Sequence, residues 1–90
     1  MRHRFTPQFE RAYADAPEPI RRAFDRKLAL LVAHGHRYPS LRTHPWPADG
    51  PDAMQARVTK RVRFYYVLEG DTYVIYRLRE EHPKSSTRGR

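Results

Sequence analysis

The chain has 90 residues, of which 18 are Lys or Arg and 10 are Asp or Glu, giving a formal charge of +8, and it has no cysteine. Such a length holds one domain with a single modest core. The absence of thiols excludes disulfide stapling, thiolate catalysis and Cys-containing zinc sites, so packing must supply the stability. No stretch approaches the roughly 18 consecutive apolar residues of a membrane span, and the start "MRHRFTPQFER" lacks the apolar run of a signal peptide, so a cytoplasmic protein with no membrane partner is expected. So large a positive excess favours a polyanionic partner, nucleic acid first and an acidic protein surface second.

Taken in chain order, "RHRF" suggests a short first strand. Thr6 followed by Pro7 signals a helix start, because Thr accepts from an orphan backbone donor while Pro fills a position whose N–H would lack a partner. Phe9, Ala12, Tyr13 and Ala16 recur at helical spacing and place a first helix over about 7–14. "APEPIRRAFDRKLALLVAHG" predicts a second: Pro17 and Pro19 suit its first turn, Gly35 its left-handed stop, and Ile20, Ala23, Phe24, Leu28, Leu30 and Leu31 its apolar stripe. Lys27 interrupts that stripe. Residues 36–53 are rich in Pro, Gly and Asp and read as irregular, with a short edge strand over 40–44. Three strands follow at "MQARVT", "VRFYYVLE" and "TYVIYRL", the last apolar on both faces as in the middle of a sheet. The expected fold is α+β: a twisted antiparallel β-sheet with an N-terminal helical hairpin on one face. Residues 1–82 form the domain, and 83–90, without an apolar residue, form a basic flexible C-terminal tail.

The register of the first two of those strands follows from their alternation. Met54, Ala56 and Val58 form one apolar set, and Val62, Phe64 and Tyr66 the other. Residues opposite each other share a face, so the sum of their numbers must be even, and the connecting loop must hold an odd number of residues. A loop at Thr59, Lys60 and Arg61 pairs Val58 with Val62 and sets Arg57 opposite Arg63. Opposed like charges cost a few tenths to ~1 kcal/mol, an arrangement most easily kept where an anion sits between them. Alternatively both arginines extend into solvent, or one pairs with an acid such as Glu69 or Glu80. Tyr65 shares their face, where its ring could stack on a base or simply occupy a half-exposed strand position.

Five histidines are present, but no pair has helical metal-ligand spacing, so no metal or other cofactor is expected. His82 ends the last strand before Pro83, where an imidazole could exchange protons or be merely solvated. There is no Walker loop, dinucleotide fingerprint or nucleophile elbow.

Together, "APEPIRRAFDRKLALL", "YPSLRTH" and "QARVTKRVRFYYVLEGDTYVIYRLREEH" resemble the RelE/ParE superfamily of toxins from bacterial type II toxin–antitoxin systems, over about residues 5–82. The resemblance implies a ribosome-dependent endoribonuclease, an mRNA interferase that cleaves mRNA in the A site by attack of the ribose 2′-hydroxyl without metal. It makes Arg57 and Arg63 the phosphate-binding, transition-state-stabilising cations and His82 the candidate acid or base. Lys60 and Arg61 would contact ribosomal RNA, while Arg42 and His44 would contact the RNA near the second strand. The implied partners are a cognate antitoxin protein, the ribosome and mRNA. Alternatives within the fold are a ParE-like inhibitor of DNA gyrase and a non-catalytic RNA-binding member. No carboxylate stands in "PSLRTH", where one branch of the family keeps a glutamate as a base.

Overall fold

Thr6 caps the first helix as the sequence predicts: in the computed structural model, which describes residues 2–81, the Phe9 N–H donates to Thr6 Oγ1 at 3.1 Å. Helix α1 runs Pro7–Asp15 and α2 runs Glu18–His34. At the end of α2, Gly35 takes φ 87°, which costs a residue without Cβ little, and its N–H donates to Leu31 O at 2.8 Å. Among the described residues no helix is long and apolar enough to cross a membrane.

Five strands form one sheet: β1 (Arg2–Phe5), β2 (His44–Pro45), β3 (Met54–Arg57), β4 (Val62–Glu69) and β5 (Thr72–Glu80), in the order β1-β5-β4-β3-β2. The "RHRF" strand is present, but it runs parallel to β5, so the sheet is mixed rather than wholly antiparallel. The expected edge strand over 40–44 is also corrected. Pro39–Leu41 form a 3₁₀ turn, and Arg42, at φ 47°, leaves extended geometry. Only His44 and Pro45 pair with β3. Leu41 explains the turn, since it is fully buried in the core and an extended path would not deliver it there.

The β3–β4 register is the predicted one, with Met54 opposite Tyr66, Ala56 opposite Phe64 and Arg57 opposite Arg63. The Val58 N–H donates to Val62 O across the three-residue loop at 2.8 Å. Ala56, Val58, Val62, Phe64 and Tyr66 join Phe9, Phe24, Leu31 and Ile75 in the core beneath the helices. Phe24 is its hub, with ring centroids 5.0 Å from Phe9 and 5.2 Å from Phe64, the latter edge-on. Lys27, the break in the α2 stripe, donates from Nζ to Ser40 O at 3.1 Å and so ties the helix to the 3₁₀ turn.

β5 contains a bulge that alternation alone does not reveal. Tyr65 pairs with Arg77 but Tyr66 with Ile75, leaving Tyr76 as an extra residue. Tyr73 and Ile75 before the bulge face the helices, and after it Leu78 does, so the strand looks apolar on both sides in sequence.

The Tyr66 hydroxyl and Thr43 Oγ1 are buried with no hydrogen-bond partner among the described residues. Burial pushes the Tyr66 phenol well above its ordinary range, and the nearby Thr43 hydroxyl, outside good bonding geometry, acts the other way. Removing a buried, unpaired hydroxyl sacrifices no bond. Tyr66→Phe is therefore expected to leave stability unchanged or raise it by up to about 1 kcal/mol, read as an equal or higher urea midpoint. A clear drop would show that this hydroxyl has a partner in solution.

Candidate functional site

The helix-free face of the sheet is not simply solvated. Residues 46–53 leave the β2 edge and fold across it, held at one end by the Trp46 N–H to Ala53 O bond of 2.8 Å. At the other, Asp49 reaches β5. Its Oδ2 accepts from the Tyr76 hydroxyl at 2.8 Å and pairs with Arg77 Nη1 at 3.2 Å. Burial, then the bond to Asp49 and its charge, push the Tyr76 phenol well above its ordinary range. Beneath this loop Tyr65 is fully buried, edge-on to Trp46 at 5.5 Å, with the Arg77 guanidinium over its ring at 5.3 Å. Its hydroxyl accepts from Gln55 Nε2 at 2.9 Å. The stacking role expected for Tyr65 is thus corrected: its faces are covered. Trp46 and Tyr76 are partly exposed aromatic rings on this side, and of the two Trp46 lines the cleft beyond the loop.

Beyond the loop the same face opens into a cleft of about 440 Å³, lined by Arg42, His44, Trp46, Gln55, Arg57, Arg63 and Glu81. Four of these were singled out from the sequence and now share one site: Arg42, His44, Arg57 and Arg63. Lys60 and Arg61 lie exposed on the β3–β4 loop, outside the cleft. His82 lies outside the described residues. Cations also extend across the strands, because Arg57 pairs with Arg63 and Arg63 in turn with Arg79.

The two central arginines are not equivalent. Arg63 is used by the protein itself: Nη1 donates to Thr59 O at 2.8 Å and Lys60 O at 3.1 Å, and Nε pairs with Glu81 Oε1 at 3.4 Å. The acid that meets it is therefore Glu81, neither Glu69 nor Glu80. Arg57 has no ion-pair partner among the described residues, and its buried Nε lacks any hydrogen bond there. Loss of solvation, then the charges of Arg42 and Arg63, lower its pKa below the ordinary guanidinium value. A guanidinium stays charged in spite of this, so its field is directed at whatever anion enters. His44 lies at the rim, exposed, with Nδ1 3.2 Å from Arg42 O.

Trp46, Gln55 and Glu81 were missed. Gln55 had a signal, since it stands two residues before Arg57 on one strand and so shares its face. Trp46, the single Trp, sits between two prolines in a polar segment, which marks it as held by something. Glu81 follows from the bulge, which puts odd-numbered residues after Tyr76 on the face of Arg63.

A larger groove, about 720 Å³, opens between the helices and the hairpin end of the sheet. Ala12, Ala16, Ile20, Val62 and Leu78 make its surface mainly apolar, with Asp15, Lys60, Arg61, Arg79 and Glu80 also in its lining, whereas three arginines and a histidine meet in the smaller cleft, which is therefore the candidate site.

No family model and no curated protein matches the sequence. Solved structures match its fold. YafQ from E. coli strain BL21(DE3) superposes with a TM-score of 0.74 at 15% identity, covering 99% of this chain and 100% of its own. The YoeB dimer from Staphylococcus aureus gives 0.74 at 13%, covering 92% of this chain and 98% of that one. The RelB-RelE antitoxin-toxin complex from Methanococcus jannaschii gives 0.70 at 14%, covering 84% and 87%. The chain has the fold of the RelE-like toxins. Within that fold, two helices lie on one face of the five-stranded sheet and the cationic cleft opens on the other.

Proposed function

We propose that the protein is the toxin of a type II toxin–antitoxin pair and a metal-independent endoribonuclease that cleaves mRNA in the ribosomal A site. The observation that carries this reading is Arg57, a partly desolvated cation with no ion-pair partner among the described residues, facing Arg63 in a cleft that also holds a histidine. A desolvated cation fixed before its anion arrives stabilises developing charge without having to reorganise. Here the anion is the scissile phosphate, gaining negative charge as the ribose 2′-oxygen attacks and the 5′-oxygen departs, leaving a 2′,3′-cyclic phosphate. Arg57 binds the phosphate, Arg63 holds the hairpin loop and shares the charge, and Arg42 reaches the neighbouring backbone. His44 and His82 are the candidates for returning a proton to the leaving oxygen. Lys60 and Arg61, exposed at the loop tip, contact ribosomal RNA, and Trp46 takes over from Tyr65 as the ring available for a base.

The fold supports the toxin assignment. The YafQ, RelE and YoeB neighbours include complexes with DinJ, RelB and YefM, respectively, and an antitoxin of that kind is the expected protein partner in the cytoplasm. The test adds purified protein to mRNA-programmed ribosomes, maps 5′-ends and assays gyrase supercoiling in parallel. New mRNA ends with wild type and none with the Arg57→Ala, Arg63→Ala, His82→Ala triple variant are expected. Intact mRNA with inhibited supercoiling would replace the nuclease by a gyrase inhibitor, and binding without either effect by a non-catalytic RNA-binding protein.

A further inference from the structure

Glu81 is the only carboxylate that lines the cleft among the described residues, in company with Arg42, His44, Arg57 and Arg63. Its position is fixed from two sides. The Glu81 N–H donates to Arg61 O at 2.6 Å, extending the β4–β5 pairing one step beyond β5, and Oε1 meets Arg63 Nε at 3.4 Å. The bulge at Tyr76 sets the phase that turns this side chain towards the arginines and away from the core. The side chain keeps 36% exposure while that of Arg63 keeps 16%, so the carboxylate stands at the cleft surface with its partner behind it.

We infer that Glu81 is the general base of the site, taking the proton from the attacking ribose 2′-hydroxyl; this rests on the ribonuclease reading above. The step balances within the site. The 2′-oxygen forms its bond to phosphorus as its proton passes to the Glu81 carboxylate, the bond from phosphorus to the 5′-oxygen breaks, and an acid of the site returns one proton to that oxygen. A carboxylate used in this way must be open to substrate and held in place. Arg63 holds it through the ion pair, and its exposure leaves it open.

The test uses the full chain on mRNA-programmed ribosomes with Glu81→Gln and Glu81→Ala, thermal melts confirming that both fold. Binding is measured separately on mRNA carrying a 2′-deoxy nucleotide at the scissile position, which cannot be cut. Glu81→Gln is expected to slow single-turnover cleavage by about 10²–10⁴-fold while binding 2′-deoxy mRNA as tightly as wild type or more so. Added acetate is expected to restore part of the rate to Glu81→Ala and none to Arg57→Ala. Cleavage by Glu81→Gln within about threefold of wild type, a loss matched by lost binding, or no acetate rescue would each overturn the assignment. If wild type itself leaves mRNA intact, the ribonuclease reading falls and this one with it, an outcome distinct from an active wild type indifferent to Glu81.

Discussion

Arg57→Met is expected to make the protein more stable and inactive. Arg57 is set opposite Arg63 and close to Arg42, and its own buried Nε has no hydrogen bond among the described residues; the substitution keeps the aliphatic stem and removes that charge. Relief of the opposed charges and of the unsatisfied donor is expected to raise folding stability by about 1 kcal/mol. In a domain this small that is an increase in Tm of about 4–8 °C. The same change removes the preorganised cation from the cleft and should slow mRNA cleavage by about 10²–10³-fold, as when one donor to a developing oxyanion is lost. Melting curves and single-turnover cleavage measured on one preparation decide the matter. A variant that melts earlier than wild type would show Arg57 to be a structural cation. One that cleaves normally would show that the anion binds elsewhere.

Phe24→Ala is expected to cost about 3–5 kcal/mol, the range for truncating a large buried ring. Phe24 is 1% exposed and stands between Phe9 of α1 and Phe64 of β4, with Phe5 of β1 and Tyr13 of α1 at the edge of the same cluster. The ring therefore joins both helices to the sheet, and no neighbour can fill its space without breaking another contact. Domains of this size hold roughly 4–12 kcal/mol in all, so the variant should melt about 15–30 °C lower or fail to fold at physiological temperature. Phe24→Leu, which keeps most of the volume, should cost less than about 1.5 kcal/mol. Near-equal melting of the two variants, followed by circular dichroism, would remove Phe24 from the centre of the core.

What could be read from the sequence was what is local or fixed by parity. The Thr6–Pro7 start, the Gly35 stop and the α2 stripe are short-range signals, each with one physical cause, and the structure has all three, with Leu30 alone of the stripe outside the core cluster. The pairing of Arg57 with Arg63 needed only period-two alternation and an odd loop. The remainder depended on residues far apart in the chain. Asp49 meets Tyr76 across 27 positions from within a loop that has no periodicity, and that contact is part of what covers Tyr65. Tyr65 shares a face with Arg63, which is why it looked available; the covering loop leaves no mark on the strand itself. The parallel partnership of β1 with β5 joins the two ends of the domain, and four residues could suggest a strand but not its direction. In the site, Arg42, His44, Arg57 and Arg63 were recognisable as residue types, whereas the difference between an occupied Arg63 and an Arg57 without an ion-pair partner among the described residues exists only in three dimensions.

The extra residue at Tyr76 makes β5 two half-strands joined out of step. Upstream, odd positions such as Tyr73 and Ile75 point to the core; downstream, the even Leu78 does, and Arg77, Arg79 and Glu81 turn away. The chemical face of the domain is therefore set by a count. Many side chains could stand at position 76 at modest cost, but removing the position would rotate everything after it by half a turn, driving two arginines and a glutamate under the helices and carrying Leu78 into solvent.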